Sequence, residues 1–246
     1  MPEDFWIILL IGFAAQMVDG ALGMAYGVTA SSFLLATGLP PVQVSATVHL
    51  AETFTTGASA VSHHKFGNVD QVLFRRLVIP GCLGAFVGAY LLSSLPGEQL
   101  KPWIACYIML MGAVVFAKAF TQVPPIRVAG KVRSLGFFGA LVDAMGGGGW
   151  GPIVASTLLA RGNEARFTVG TVNAVEFFVT LTSSVVFVAT VGLGLWKIVL
   201  PLALGGVLAA PLAAFVCKHV PHRAMLAVVG LVIMGVSLRT LFKIIG

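Results

Sequence analysis

Four long intervals of this chain contain no Asp, Glu, Lys or Arg: the residues between Asp19 and Glu52, and the runs Leu77–Gly97, Ala144–Ala160 and Phe177–Trp196. Each approaches or exceeds the ~20 apolar residues that a membrane-spanning helix needs. A water-soluble domain carries about 25% charged residues. Here the figure is 10%, against 58% hydrophobic residues and a mean hydropathy of +0.98. So few charges cannot assemble a solvated surface. The chain is read as an all-α polytopic membrane protein, because a membrane barrel would show shorter strands of alternating polarity.

The net charge of +6 would point to nucleic acid in a soluble protein. In a membrane protein, basic residues in short loops fix orientation toward the cytoplasm, and no basic run with interleaved aromatics is present. Nucleic-acid binding is set aside. Cys82, Cys106 and Cys217 lie far apart inside apolar blocks, with no metal or redox spacing. Met1–Asp4 is acidic and no small-residue cleavage site follows the first apolar run, so no cleavable leader is expected.

The chain also repeats itself. Placing Asp143 on Asp19 sets an offset of 124, and held without gaps from Ile11 to Val61 it gives 18 identities in 51 positions. Gly12/Gly136, Asp19/Asp143, Gly23/Gly147, Gly27/Gly151 and Glu52/Glu176 all fall in register. Apolar composition alone does not align two acids and several glycines. Gly84–Ala89 resembles Gly206–Pro211 more loosely. The expected domains are a first membrane repeat over 1–121, a basic cytoplasmic linker over 122–133, and a second membrane repeat over 134–246. Each repeat reads as four hydrophobic blocks. The first block of each is too long for one span and is broken by a Gly-rich turn, at Asp19–Gly23 and at Asp143–Gly151. His63–Arg76, Lys118–Arg133 and Lys218–Arg223 are basic loops. They fall on one side if each repeat crosses an odd number of times, which makes the two repeats inverted.

Ionisable groups inside a span are costly and mark function. Asp19, Glu52, Asp143 and Glu176 qualify, and the competing reading is that the acids cap broken helices. His49 lies one helical turn before Glu52, and Asn173 is its counterpart beside Glu176. Gly20, Gly23 and Gly27, with Gly146, Gly147, Gly148, Gly149 and Gly151, can present backbone N–H groups to an anion at half-helix N-termini. Close packing of helices by small residues is the alternative. Tyr26 and Trp150 occupy equivalent positions and either wall such a site or pack. His63-His64-Lys65 reads as an interfacial helix end rather than a metal site. No Lys follows the glycines as in a nucleotide loop, and no nucleophile–base arrangement or metal motif is present. No cofactor, no metal and no enzymatic activity are expected.

The segments VDGALGMAYGV (Val18–Val28), TVHLAETFTTGASAVSHHKFGNVD (Thr47–Asp70), GFFGALVDAMGGGGWGPIV (Gly136–Val154) and VGTVNAVEFFVTLTSS (Val169–Ser184) resemble the sulfite exporter TauE/SafE family of bacterial membrane proteins. The resemblance spans nearly the whole chain. It implies a multi-pass inner-membrane transporter, often linked to export of sulfite or organosulfonates.

Both lines lead to a secondary transporter of a small inorganic or organic anion held at mid-membrane between the repeats. Thr47, His49, Thr171 and Asn173 join the glycines as candidate substrate contacts. Glu52, Glu176, Asp19 and Asp143 are candidate coupling groups, with protons as the candidate coupling ion. A channel-like anion facilitator with purely structural acids is the alternative.

Overall fold

The computed structural model describes residues 2–22, 24–120, 131–160, 163, 165–192, 194, 196–216 and 222–245. These form helices throughout, with no strand among the described residues. In chain order they are α1 (Pro2–Leu22), α2 (Tyr26–Ala36), α3 (Pro41–Lys65), α4 (Gln71–Ser94), α5 (Gly97–Lys118) and α6 (Val132–Gly146). A π-helical turn (Gly151–Ala155) then leads into the short α7 (Ser156–Ala160), followed by α8 (Ala165–Val191), α9 (Trp196–Val216) and α10 (His222–Ile245). The chain is a membrane protein, and among the described residues four helical segments are long and apolar enough to cross a bilayer: Gln71–Ser94, Gln99–Lys118, Phe167–Val191 and Leu226–Ile244.

The ends of the helices follow from local chemistry. Asp70 caps α4, its side chain accepting from the Val72 and Leu73 N–H groups at 2.8 and 3.1 Å, which satisfies donors that have no partner inside the helix. Gly38, Gly67 and Gly192 adopt positive φ just beyond α2, α3 and α8, where an L side chain is disfavoured. The apolar run expected to continue to Trp196 therefore divides at Gly192, and Trp196 opens α9 instead.

The helices pair as α1 with α9, α4 with α6, α3 with α8 and α5 with α10. Lipid chains are as apolar as leucine, so close backbone approach rather than hydrophobic burial holds such pairs together. On α4, Ile79, Leu83, Phe86 and Tyr90 are exposed, while Gly81, Gly84, Ala85, Gly88 and Ala89 are buried. Gly84 and Gly88 press on the carbonyls of Phe137 and Leu141 in α6. Across the molecule, Gly12 of α1 faces the Leu202 carbonyl of α9, and Gly205 faces that of Leu9.

Two helices break inside the bundle. Helix α1 runs on through Asp19 and Gly20, beyond the expected turn, and the chain bends at Ala25, whose φ is +96°. α2 then folds back, so that Leu34, Thr37 and Leu39 line the same cavity as Phe5, Ile8 and Ile11. α6 likewise continues through Asp143 to Gly146 and breaks at Gly147–Gly149, with φ of +71°, +150° and +148°. The following turn returns along α6, with Val154 against Gly139. Both are helical hairpins. The tips touch: a Cβ on Gly27 would lie 2.7 Å from Gly148 Cα, and one on Gly151 would lie 2.8 Å from Met24 Cβ.

A Cβ on Gly148 would strike the Gly27 carbonyl carbon and the Val28 nitrogen, at a φ that L residues avoid. Gly148→Ala should therefore cost roughly 2–6 kcal/mol from backbone strain and overpacking. Gly235→Ala, in α10 with open space around it, should be neutral or stabilising by up to about 1 kcal/mol. Thermal unfolding of both variants in detergent checks the contrast; equal melting temperatures would mean that the hairpin tips are not in contact.

Candidate functional site

Helix α3 carries Ser45, His49, Glu52, Thr53, Thr56 and Ser59 in a chain otherwise surrounded by lipid. Thr53, Thr56 and Ser59 are turned to α8, and Ser45 and His49 to α6. Thr53 Oγ1 lies 3.2 Å from Ser184 Oγ, Thr56 Oγ1 lies 3.4 Å from Thr180 Oγ1, and Ser59 Oγ donates to Asn173 Oδ1 at 3.2 Å. The polar seam meets the two hairpin tips around a small cavity. Ala25, Tyr26, Gly27 and Val28 of the first hairpin line it, together with Asp143, Gly149, Gly151 and Pro152 of the second. Glu52 of α3 and Glu176 of α8 complete the wall. Its volume of about 10 Å³ is close to the ~10–15 Å³ that one water requires. A larger cavity of about 900 Å³ between the starts of α1 and α9 is walled mainly by Phe5, Ile7, Ile8, Ile11, Trp196 and Ile198 and includes none of the four acids. Size alone would select it, but the chemistry lies in the small one.

Asp143 organises the second hairpin. Its main-chain carbonyl accepts from the N–H groups of Gly147 and of Gly148, the latter at 3.0 Å. Its side-chain Oδ1 accepts from Trp150 N at 2.9 Å. The other oxygen, Oδ2, is 3.0 Å from His49 Nε2. Ser45 Oγ donates to the Ala144 carbonyl at 2.5 Å, Ser31 Oγ to that of Gly147, and Tyr107 O–H to that of Gly148 at 2.8 Å. The first hairpin repeats the theme: Asp19 Oδ1 accepts from Tyr26 N at 3.3 Å. The Glu52 carboxyl lies against Gly27. Glu52 lies within electrostatic range of Glu176, Asp143 and Asp19.

Three glycines of the expected anion site, Gly27, Gly149 and Gly151, line the cavity, with Glu52, Glu176 and Asp143. The other candidates sit elsewhere. Gly146 packs on the Tyr107 ring, and Gly20 lies in the last turn of α1. Gly23 falls outside the described residues. Thr171 accepts from Asp70 N at 2.8 Å at the start of α4. Asn173 donates to the Val169 carbonyl at 3.0 Å and accepts from Ser59. Thr47 is fully buried, and its Oγ1 has no hydrogen-bond partner. His49 is held by Asp143 and lies behind the cavity rather than on its wall. The sequence reading missed Tyr107, Ser31 and Ser45. For Ser45 the spacing to His49, one turn later, was the available signal; for Tyr107 and Ser31 no local signal exists.

Residues 8–240 match the family described as Sulfite exporter TauE/SafE. The chain is 43% identical to the probable membrane transporter protein YtnM of Bacillus subtilis (strain 168), over 96% of this chain and 82% of that protein. It is 28% identical to the probable membrane transporter protein ORF9 of Sinorhizobium sp., over 44% of this chain and 41% of that protein. No solved structure matches it. By the match over residues 8–240 and by the 43% identity across nearly the whole chain, the chain belongs to the sulfite exporter TauE/SafE family of membrane transporters.

Proposed function

We propose that the chain is a secondary exporter of a small sulfur-containing anion, such as sulfite or an organosulfonate, bound between the two hairpin tips once they part to widen a cavity that now has room for about one water. The observation that carries this reading is the convergence of Gly27, Gly149 and Gly151 on one polar cavity with Glu52, Glu176 and Asp143. Broken helices that aim backbone donors at an enclosed site are how several secondary transporters hold anionic groups.

The acids set a condition on that binding. No Lys or Arg lines the cavity, and an anion entering beside ionised carboxylates at low dielectric is repelled strongly. Binding is therefore favoured when carboxyls carry protons, and an anion that needs them moves with them. Protons are the proposed coupling ion, with Glu52 and Glu176 as the carboxyls that face the substrate.

Two inverted repeats provide the alternating access. α1–α2 stands to α6–α7 as Asp19 to Asp143, and the contacts between repeats recur in pairs. Gly12 meets Leu202 as Gly136 meets Leu77, and Gly206 meets Thr55 and Tyr26 as Gly81 meets Val179 and Trp150. These pairs support an offset of 125 for α4 and α9, rather than the 122 suggested by matching Gly84 to Gly206. A re-entrant hairpin followed by three crossings gives each repeat an odd number of crossings, hence opposite orientation. Lys65, Arg75, Arg76, Lys118, Lys131, Arg133, Arg166 and Arg223 then lie at one face, and Lys101, Lys197, Arg239 and Lys243 at the other. The richer face is the cytoplasmic one; most of the linker 122–133 between the two repeats lies outside the described residues.

Single cysteines at Lys65 and Gln99, in protein with Cys82, Cys106 and Cys217 replaced by Ala, test the orientation. An impermeant thiol reagent applied to whole cells should label Gln99→Cys and spare Lys65→Cys; the reverse pattern would invert the assignment.

The transport reading is tested in proteoliposomes with sulfite and with methanesulfonate, whose charge does not change over the pH range used. Flux should rise as pH falls, by at most about tenfold per unit for each proton required. Glu52→Gln or Glu176→Gln, which keep shape but not titration, should flatten that slope in at least one case while preserving flux at low pH. Flux in the native protein that ignores pH would instead favour a channel-like facilitator with structural acids.

A further inference from the structure

The cavity carboxyls are not the only place where the fold holds a proton. His49 and Asp143 are 0% and 2% exposed, and their contact joins α3 to the second hairpin. The partners of the ring assign its hydrogens. His49 Nδ1 lies 2.8 Å from the Ser45 carbonyl oxygen, which can only accept, and 3.2 Å from Ser45 Oγ. The single hydroxyl proton of Ser45 is committed to the Ala144 carbonyl. Nδ1 must therefore carry hydrogen. That leaves Nε2 facing Asp143 Oδ2 at 3.0 Å, an arrangement that holds together only with a proton between the two atoms. Without it, a nitrogen lone pair would face a carboxylate lone pair in a water-excluded site.

We infer that the His49–Asp143 pair is a proton-carrying site of the transport cycle, loaded when the second hairpin is docked on α3 and discharged when it moves away. The inference rests on the transporter reading above and assigns the coupling proton a second seat, behind the substrate carboxyls. Whether the proton resides on Nε2 or on Oδ2, the docked pair contains one and is neutral overall. Separation into water leaves neutral imidazole, free carboxylate and one released proton. No bond other than N–H or O–H forms or breaks.

The surroundings limit the count to one such pair. From α3 itself Glu52 lies one turn on; the tip of the first hairpin brings Asp19 and Tyr26, α8 brings Glu176, and α5 brings Tyr107. All are acids or phenols, and none supplies a competing positive charge. In the equivalent place on α8 stands Asn173, which binds the Val169 carbonyl as His49 binds that of Ser45, and does not titrate. The two halves share the device for positioning a side chain but only one half carries a proton on it.

Histidine-selective ¹⁵N NMR of the purified protein tests the pair without any substrate. The resonance absent from His49→Asn protein identifies His49, and both its nitrogens should stay protonated or hydrogen-bonded to a shared proton across neutral pH. A bare Nε2 at neutral pH would overturn the inference. In proteoliposomes carrying sulfite, His49→Asn and Asp143→Asn should move the anion with fewer protons per turnover than the native protein. The double variant His49→Asn/Asp143→Asn, which restores a neutral hydrogen-bonded pair, should fold if either single change does not. Unchanged proton movement in that variant would overturn the coupling role. If the native protein moves no sulfite, the function reading fails while the NMR result still decides the pair.

Discussion

A helix broken inside a bilayer leaves backbone donors and acceptors that water cannot reach, each costing several kcal/mol if unpaired. Asp143 removes most of that cost in the second hairpin. Its main-chain carbonyl takes the N–H groups of Gly147 and Gly148, and its side chain takes that of Trp150. Ser31 and Tyr107 then satisfy the carbonyls of Gly147 and Gly148. The glycine run makes the bend sterically possible, but the acid decides where it stops. Asp19 plays the matching part for Tyr26 in the first hairpin, where the bend falls on Ala25 and a positive φ is borne by an L residue.

These two acids accept from backbone N–H groups beyond the helix breaks, and the capping and coupling readings of them are not exclusive. A capping carboxyl that also touches His49 has its position fixed by the backbone and its protonation tied to a different helix. Movement of the hairpin relative to α3 then changes a proton site without disturbing the cap. Outside this centre the design is simple. Large side chains such as Ile79, Phe86, Trp103 and Phe242 face lipid, and glycine ridges let α4 lie on α6 and α1 on α9.

Much of this was legible in the sequence, and the reasons for the exceptions are physical. Charge-free runs located the helices because desolvated charge is expensive in a bilayer. The acids and glycines at an offset of 124 pointed to both hairpins and to Glu52 and Glu176, which line one cavity. The exact break points were not legible: α1 and α6 carry on through Asp19 and Asp143, because a capping side chain reaches forward to an N–H seven residues on. Thr171 looked like a substrate contact, yet it holds Asp70 N at the start of α4, a long-range partner that helix periodicity does not reveal. His49 was placed with the substrate contacts, whereas a single hydrogen bond across 94 residues makes it Asp143's partner.

Helix α3 has a consequence for how the protein is made. It is 25 residues long, enough to span the bilayer, yet its hydroxyls, His49 and Glu52 leave it less apolar than the four segments long and apolar enough to cross. Its shield is α8, which begins 100 residues after α3 ends. At a synthesis rate of about 5–20 residues per second, that helix emerges on the order of 5–20 s later. During that interval α3 has no mate for its polar seam, so the nascent first half depends on the insertion machinery or on bound water to hold it. The polar seam of α3 is thus completed only by a helix from the second half of the chain.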